Sequence, residues 1–451
     1  MKNHLPNIKK EASTLLKIGV PIVGTQLLGM GLTITDTIMA GRLSAADLAG
    51  VAVGNALYQP VTLFGMATLV AINPIVSQYL GARKFFEIGK SVRQMLWLIF
   101  FLAVPSFFLI RNLDFVLHFA GVDQEIIPLS TKYIKAVSWG IPGLLVFAGL
   151  RYFSEGLAIT KPAMYLAFLT LLLNIPADYI LMYGKFGFPA LGAEGTGYAT
   201  TIVQLFSGII MIIFTFRFKP FKRFNIFERT RGPEWKYIKE LLHVGLPSGA
   251  SSTLEILLFA SVSVLMGTLS VTASAAHQIS LSIAATVFMI PFGLSMAISQ
   301  RVGLAVGQGS LEKARFRGFL GTAVCTLIMV FTATLIFTIP DAIVSIYTND
   351  IEVKDLAISL LFMAGLFQIS DGLQVGGYGA LRGLKDTKVP MVVNFVSYWL
   401  IGFSAGYYLG IHTDMGPKGL WIGLISGLSV AAVLHNLRFH LLTKIKAPTK
   451  K

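Results

Sequence analysis

Residues 219–239, KPFKRFNIFERTRGPEWKYIK, form the longest polar stretch of a chain that is otherwise strongly apolar. On each side of it, apolar runs of roughly 20 residues recur six times, and each is long enough to cross the hydrocarbon core of a bilayer. The stretch therefore divides the chain six plus six. We predict an all-α integral membrane protein with twelve transmembrane helices, arranged as an N-terminal six-helix bundle (1–218), a cytoplasmic linker (219–238) and a C-terminal six-helix bundle (239–451).

The composition excludes a soluble globular protein. Of the 451 residues, 54% are hydrophobic and only 13% are charged, about half the charged share of an ordinary soluble domain. The single cysteine, Cys325, excludes an intramolecular disulfide. The predicted spans are 13–38, 47–76, 92–111, 128–155, 163–183, 192–218, 239–268, 273–306, 316–340, 354–380, 389–412 and 419–443.

The distribution of positive charge predicts the topology. The formal net charge is +15, which taken alone would also suit a nucleic-acid partner. With twelve spans both termini lie on one side, and that side receives 30 of the 37 Lys and Arg residues. Because cytoplasmic loops carry such an excess, we place the protein in the inner (plasma) membrane with both termini cytoplasmic. The basic residues then face anionic lipid headgroups, and we expect no nucleic-acid partner.

The two halves of the chain resemble each other in three short segments that occur in the same order. Such ordered self-similarity indicates duplication. Because six spans is an even number, both halves enter the membrane from the same side, and a pseudo-twofold axis along the membrane normal would relate them. The matches are KIGVP at 17–21 with HVGLP at 243–247 (offset 226), GLAITK at 156–161 with GLKDTK at 383–388 (offset 227), and GAEG at 192–195 with GPKG at 416–419 (offset 224).

Asp36 is the first carboxylate within an apolar span. A charge in such a place is costly, so it is usually kept where it faces the protein interior or a watery cavity. Pro21, several turns earlier, weakens the helical hydrogen-bond ladder and is a candidate hinge. The alternative is that Asp36 only caps the helix end before the loop at Gly41-Arg42.

The fifth and sixth spans add further polar groups. Asn174 and Asp178 are four residues apart and share one helix face, with Pro176 between them, and Thr196 opens the next span. With Asp36 they offer carboxylate, amide and hydroxyl oxygens, which suit an alkali cation or a proton and do not suit zinc. Hydrogen bonding between helices is an equally weighted alternative.

The second half carries two carboxylates within apolar spans, Glu255 in the seventh and Asp371 in the tenth. Neither has a Lys or Arg at helical spacing, which favours a mobile cation as the partner of each. Of the other polar residues, Arg151 and Glu155 most simply pair with each other, and His277 most simply packs. There is no nucleotide-binding or hydrolase motif, so we expect no cofactor, no ATP-driven transport and no enzymatic activity.

Several of these motifs together resemble one family, MATE (multidrug and toxic compound extrusion), and within it the NorM branch. The resemblance covers nearly the whole chain. It rests on TDTIMAG at 35–41, LNIP at 173–176, AHQ at 276–278, Glu255, Asp371, LRG at 381–383 and Lys385-Asp386.

The resemblance implies two six-helix bundles in a V and the export of diverse, often cationic or amphiphilic drugs, driven by entry of Na⁺ or H⁺. Phe367, one turn before Asp371, stands where some NorM relatives carry a tyrosine associated with the cation site. The cation chemistry of the family maps onto Asp36, Asn174, Asp178 and Thr196 in the first bundle and onto Glu255 and Asp371 in the second.

The function predicted from the sequence is therefore drug/cation antiport by alternating access, carried out by a monomer, with Na⁺ or H⁺ left open. One alternative is a lipid-linked oligosaccharide flippase, which would need a basic cavity for pyrophosphate. A membrane-embedded acyltransferase would need a clustered His/Asp or metal site at one membrane face, and the seven histidines are scattered singly. A passive channel is disfavoured by the two-bundle repeat.

Overall fold

The computed structural model describes residues 7–119, 121–226 and 232–444, and within these residues all regular structure is helical. Among these residues, twelve helices are long and apolar enough to span a membrane, as predicted from the sequence. In chain order, α1 to α12 are Ile8–Leu43, Ala45–Gly81, Phe85–Arg111, Ile126–Gly156, Lys161–Tyr183, Ala193–Arg217, Trp235–Leu269, Val271–Gly307, Leu311–Thr338, Ile351–Gly383, Lys388–Ile411 and Pro417–Thr443.

Local sequence accounts for where several helices begin and bend. Ser44, Ser270, Ser310 and Asp350 are N-cap residues whose side-chain oxygens accept a backbone N–H from three residues later. Such caps satisfy N–H groups that the first helical turn leaves unpaired. Within α11, the hydrogen bonding widens to π-helical over Val396–Phe403.

Backbone geometry confirms the internal repeat. Residues with left-handed backbone conformation recur at the offsets that separate the matching sequence segments. A positive φ recurring at each of these places agrees with a shared chain path in the two halves. The pairs are Arg83 (φ 57°) with Gly309 (φ 75°), Ala158 (φ 62°) with Lys385 (φ 63°), and Gly192 (φ 58°) with Gly416 (φ 53°).

The helices pack into two units that divide the chain inside α1 and α7. One unit is Gly24–Gly249; the other combines the residues up to Val23 with those from Ala250 onward. We call them the N-unit and the C-unit. The two cuts are 226 residues apart, the offset that relates Pro21 to Pro247. The predicted domain boundaries at 218 and 239 mark where one sequence repeat ends and the next begins, and they stay a prediction. The packing units are cut at other residues, inside α1 and α7.

Close helix contacts explain this division. In the C-unit, a Cβ at Gly19 would lie 2.5 Å from Leu294 Cδ2, so the first half of α1 packs tightly on α8. In the N-unit, a Cβ at Gly245 would collide with the carbonyl oxygen of Thr68, so the first half of α7 packs tightly on α2. Glycine allows each approach because it has no side chain.

Each unit has its own buried apolar core. Ile72, Ile75 and Phe153 are fully buried in the N-unit, as are Leu428 and Trp421 in the C-unit. These interiors fix the backbones that carry the buried polar groups described next.

Candidate functional site

Three helices of the N-unit bring together Asp36, Asn174, Asp178 and Thr200, which we call the Asp36 cluster. Asn174 Nδ2 donates to Asp36 Oδ1 and to Asp178 Oδ2, at 2.6 Å in both cases. Thr200 Oγ1 donates to the other oxygen of Asp36, at 3.2 Å. The α1, α5 and α6 side chains thus form one network, in which Asp36 is 9% exposed and Asp178 is fully buried.

The position of Asp36 within α1 rules out the interpretation that it only caps the end of that helix. Helix α1 continues to Leu43, two turns beyond Asp36. The carboxylate binds side chains of two other helices. The network therefore also makes the interhelical hydrogen bonds that were the alternative interpretation of Asn174 and Asp178.

The two carboxyl groups of the cluster lie close together, because both accept a hydrogen bond from the same nitrogen, Asn174 Nδ2. Two ionised carboxylates so close together in a buried site repel each other. A proton on one of them would remove this repulsion. Alternatively, a small cation next to both would offset the repulsion. The geometry is thus suited to holding one mobile positive charge.

Two further oxygens at this site take part in no hydrogen bond with the described residues. They are Asp178 Oδ1 and Thr196 Oγ1, both buried. The predicted member Thr196 therefore lies outside the hydrogen-bonded network, and Thr200, one turn further along α6, takes that place. Because buried polar atoms normally have a partner, these two oxygens are candidate ligands for an alkali cation.

A cavity of about 520 Å³ lies beside the Asp36 cluster in the N-unit. Its walls come from the neighbouring residues of α1 and α5, and they are mostly apolar and aromatic, with Arg42 as their one charged group. The lining residues are Thr35, Ile38, Met39, Arg42, Ile175, Pro176, Tyr179 and Tyr183. The volume is within the range of small-molecule sites.

The C-unit contains the second pair of predicted carboxylates. Asp371 is 1% exposed, and neither of its carboxyl oxygens has a hydrogen-bond partner among the described residues. Glu255 is partly buried and close enough to act electrostatically on Asp371. Neither acidic group forms an ion pair with a Lys or Arg in the part of the chain that the structure describes.

Polar residues near this pair include one that the sequence analysis missed, Tyr398. Its hydroxyl accepts a hydrogen bond from Gln374 Nε2 at 2.8 Å, and its ring is fully buried in the π-helical part of α11. Phe367 instead packs against Phe259 and Trp421, with ring centroids 5.9 and 6.0 Å away. The only sequence signal for Tyr398 was a polar ring in an apolar span.

The remaining candidates have structural contacts. Arg151 Nε lies 3.2 Å from Glu155 Oε1, which confirms the predicted pair. His277 Nε2 lies 3.0 Å from Ser263 Oγ, and the His277 ring meets the Trp421 ring edge-on. Pro21 lies inside the continuous helix α1. No group of three or more His, Cys, Asp or Glu side chains placed to hold a metal occurs in the part of the chain that the structure describes.

Comparison with known proteins places these features in one family. The MatE family model matches this chain twice, at residues 21–180 and 247–408. The chain is 39% identical over 440 residues to the "Multidrug resistance protein MdtK" of Yersinia pseudotuberculosis, covering 96% of each. It is 38% identical to the "Probable multidrug resistance protein NorM" of Idiomarina loihiensis, covering 97% of this chain and 95% of that protein.

A solved structure shares the fold. The eukaryotic MATE transporter AtDTX14 matches with a TM-score of 0.87 and 21% identity, covering 96% of each chain. Fold and site together define a polytopic membrane protein built from a duplicated set of helices, with a pair of carboxyl groups within the membrane helices of each unit. The chain belongs to the MatE family. The two matched regions begin 226 residues apart, in agreement with the repeat found in the sequence.

Proposed function

We propose that this protein exports cationic and amphiphilic drugs across the inner membrane in exchange for an inward-moving cation, Na⁺ or H⁺. The observation that carries the proposal is the Asp36–Asp178 carboxyl pair, joined through Asn174, where one added positive charge would offset the mutual repulsion. In this proposal the protein is a transporter and catalyses no reaction of its own.

Two observations support drugs as the substrates. The relatives with 38–39% identity over nearly their full length are named multidrug resistance proteins. The cavity beside the Asp36 cluster offers Met39, Tyr179 and Tyr183, side chains that accommodate varied apolar and aromatic shapes. The adjacent carboxyl pair, when it carries net negative charge, attracts a cationic substrate.

Exchange follows from competition for that negative charge. When a cation binds Asp36 and Asp178, the site loses its attraction for a cationic drug, so drug release and cation entry are coupled. At a membrane potential of about 100 mV, each charge moved inward supplies about 2.3 kcal/mol. That free energy changes a two-state equilibrium nearly fiftyfold (RT ≈ 0.59 kcal/mol), enough to drive alternation between the two access states.

Further parts of the proposal concern the second pair and the hinge. Glu255 and Asp371 bind a cation in the C-unit, and the hydroxyl of Tyr398, which is bonded to Gln374, is the candidate additional ligand in place of a side chain at 367. Helix α1 bends near Pro21 as the transporter alternates, because the proline lacks the N–H that the helical ladder needs. The protein acts as a monomer with both termini in the cytoplasm.

Ethidium efflux from proteoliposomes tests the proposal, with either a Na⁺ gradient or a pH gradient imposed alone. We expect one of the two gradients to drive efflux. Asp36→Asn, Asp178→Asn, Glu255→Gln and Asp371→Asn are measured in parallel, and at least the first two should lose gradient-driven efflux. Full coupling in all four variants would remove the site assignment. Efflux at an unchanged rate with every gradient collapsed would remove cation exchange.

A further inference from the structure

A second cavity, of about 660 Å³, lies in the N-unit away from the buried carboxylates. It is formed where α2 ends, α3 begins and α7 begins. Its walls include the basic residues Arg83, Lys84 and Lys236, together with Tyr79, Phe86 and Glu87. The proposed exchange of drug and cation uses none of these residues.

The cavity wall holds three basic side chains and one acidic side chain. Within residues 7–119, 121–226 and 232–444, no carboxylate lies within ion-pair distance of Arg83, Lys84 or Lys236. The single acidic group in its wall, Glu87, accepts a hydrogen bond from Tyr237 at 2.7 Å and lies 3.8 Å from Lys90. Three basic side chains therefore line the cavity, whereas its one carboxylate already has Tyr237 and Lys90 as neighbours.

Arg83 is held there in an unfavourable backbone conformation. Its φ is 57°, in the left-handed region, and the equivalent residue of the second half, 226 positions later, is Gly309 with φ 75°. Glycine adopts this conformation without steric cost, whereas another residue pays about 1 kcal/mol or more. The first half thus carries a cation at a turn where the second half has the residue that the turn favours. Such strain is concentrated at functional positions.

The aromatic surroundings favour a position of the cavity at the level of the lipid headgroups. Phe86, in its wall, is 58% exposed, and Trp235, next to Lys236, is 68% exposed. Exposed Trp side chains at the ends of membrane helices are typical of the bilayer–water interface. A basic cavity between helices at that level matches the phosphate of an anionic phospholipid, whose acyl chains would lie along the apolar helix surface.

We propose that Arg83, Lys84 and Lys236 bind the headgroup phosphate of an anionic phospholipid such as phosphatidylglycerol. The site is independent of the proposed drug export. It lies on the side of the membrane that the charge distribution predicts to be cytoplasmic. The open, aromatic-flanked position favours a lipid over a freely diffusing phosphate.

Thermal unfolding of the delipidated full-length protein in detergent tests this site, with phosphatidylglycerol, phosphatidylcholine or inorganic phosphate added. We expect phosphatidylglycerol to raise the melting temperature by several degrees and the other two to have little effect. Arg83→Gly should unfold at or above the wild-type temperature without lipid, because it relieves the backbone strain, yet lose most of the lipid response. Lys236→Ala should lose part of the response, and the double variant nearly all of it.

Lys161→Ala is the matched control, because Lys161 is an exposed lysine of the same unit, on the same predicted side and outside the cavity. It should keep the full response to phosphatidylglycerol. An undiminished response in the Arg83→Gly/Lys236→Ala variant would overturn the site. An equal response to phosphatidylcholine would show that only apolar contacts matter, and a response to inorganic phosphate alone would show a soluble anion site; either result rejects the lipid proposal.

Discussion

At the scale of single residues, the Asp36 cluster shows how a buried charge is kept without a permanent partner. Asn174 has two N–H groups on one nitrogen and uses them to join two carboxyl groups from different helices. The donors that reach the pair are neutral, an amide and a hydroxyl. The proposed transported cation would supply the missing positive charge, because no Lys or Arg forms an ion pair with either carboxylate within the described residues.

Substitution of the α6 threonines Thr196 and Thr200 can distinguish Na⁺ from H⁺ as the coupling ion. Thr200 hydrogen-bonds to Asp36, whereas Thr196 Oγ1 has no partner among the described residues. If Na⁺ is the ion, Thr196→Val should raise the Na⁺ concentration for half-maximal efflux about 10-fold, since loss of one ligand costs about 1.4 kcal/mol. If a proton is the ion, Thr196→Val should behave as wild type.

Thr200→Val should weaken coupling with either ion, because Asp36 then loses a donor. Efflux assays in proteoliposomes over a range of Na⁺ concentrations and pH values provide both measurements. Wild-type behaviour of both variants under both gradients would contradict this assignment of α6.

A buried ion pair holds the beginning of α1 within the C-unit. Glu11, 5% exposed, accepts from Arg301 Nε at 2.6 Å and from Arg301 Nη2 at 2.7 Å. Arg317 Nε lies 3.3 Å from the same carboxylate. Glu11→Gln would leave two neighbouring guanidinium groups without their carboxylate. We expect a loss of about 3–5 kcal/mol in stability, measured as a lower temperature of thermal unfolding in detergent.

The Asp341–Lys354 pair of the same unit serves as the comparison. It is as short, at 2.8 Å, but the Asp341 side chain is 70% exposed. Asp341→Asn should therefore cost less than about 1 kcal/mol. Equal melting temperatures for the two variants would mean that burial does not decide the strength of the Glu11 pair.

At the scale of helices, small residues set how closely α11 and α12 approach. Glycines recur every fourth residue on both, at positions 402, 406 and 410 and at 419, 423 and 427. A Cβ at Gly423 would lie 2.5 Å from the carbonyl oxygen of Gly402 and would also collide with Gly406 Cα. Within a bilayer, such rows allow backbones to pack closely where the hydrophobic effect gives little drive for association.

Gly423→Ala should therefore force the two helices apart. The clash is with backbone, which cannot rotate away as a side chain can, so we expect overpacking to cost about 1–3 kcal/mol and the melting temperature to fall. Gly267→Ala in α7 is the control, because nothing lies within 4 Å of the added Cβ. It should be neutral or slightly stabilising, since alanine is the better helix former. A Gly423→Ala protein as stable as the control would show that this contact is loose.

At the scale of the whole molecule, duplication and topology are linked. The MatE family model matches once in each half, and left-handed turns recur between the halves at offsets of 224 to 227 residues. Six helices per copy require both copies to start on the same side of the membrane. The orientation itself follows from Lys and Arg counts and is a prediction from the sequence.

Cysteine labelling tests the orientation. The only native cysteine, Cys325, is fully buried and is replaced by serine to give a cysteine-free background. Lys161 and Lys185 are both exposed and lie at opposite ends of α5, because Lys161 is its first residue and Lys185 follows its last. In intact spheroplasts, a membrane-impermeant maleimide should label Lys185→Cys, and should label Lys161→Cys only after permeabilisation. The reverse pattern would invert the topology.

Much of the fold could be predicted from the sequence, because the signals for it are local. A run of about 20 apolar residues is sufficient for a membrane helix, since a helix satisfies its own backbone hydrogen bonds in lipid. All twelve spans were found in this way. Ordered matches such as KIGVP with HVGLP indicated the repeat before any geometry was known. The extent of α1 beyond Asp36 was missed, because helix ends carry weaker signals than helix interiors.

The sites required tertiary structure, because their partners are far apart in sequence. Asp36 is 138 residues from Asn174 and 164 from Thr200, so only the packing angles of α1, α5 and α6 decide which side chains meet. Spacing on one helix could not distinguish Thr196 from Thr200, and it gave no reason to include Tyr398. The sequence by itself determined the membrane class, the helix number and which carboxylates are placed in apolar spans. Only the tertiary structure decided which oxygens share a hydrogen-bond donor, because a hydrogen bond depends on atomic positions within a few tenths of an ångström. Hydrophobic patterning does not encode such positions.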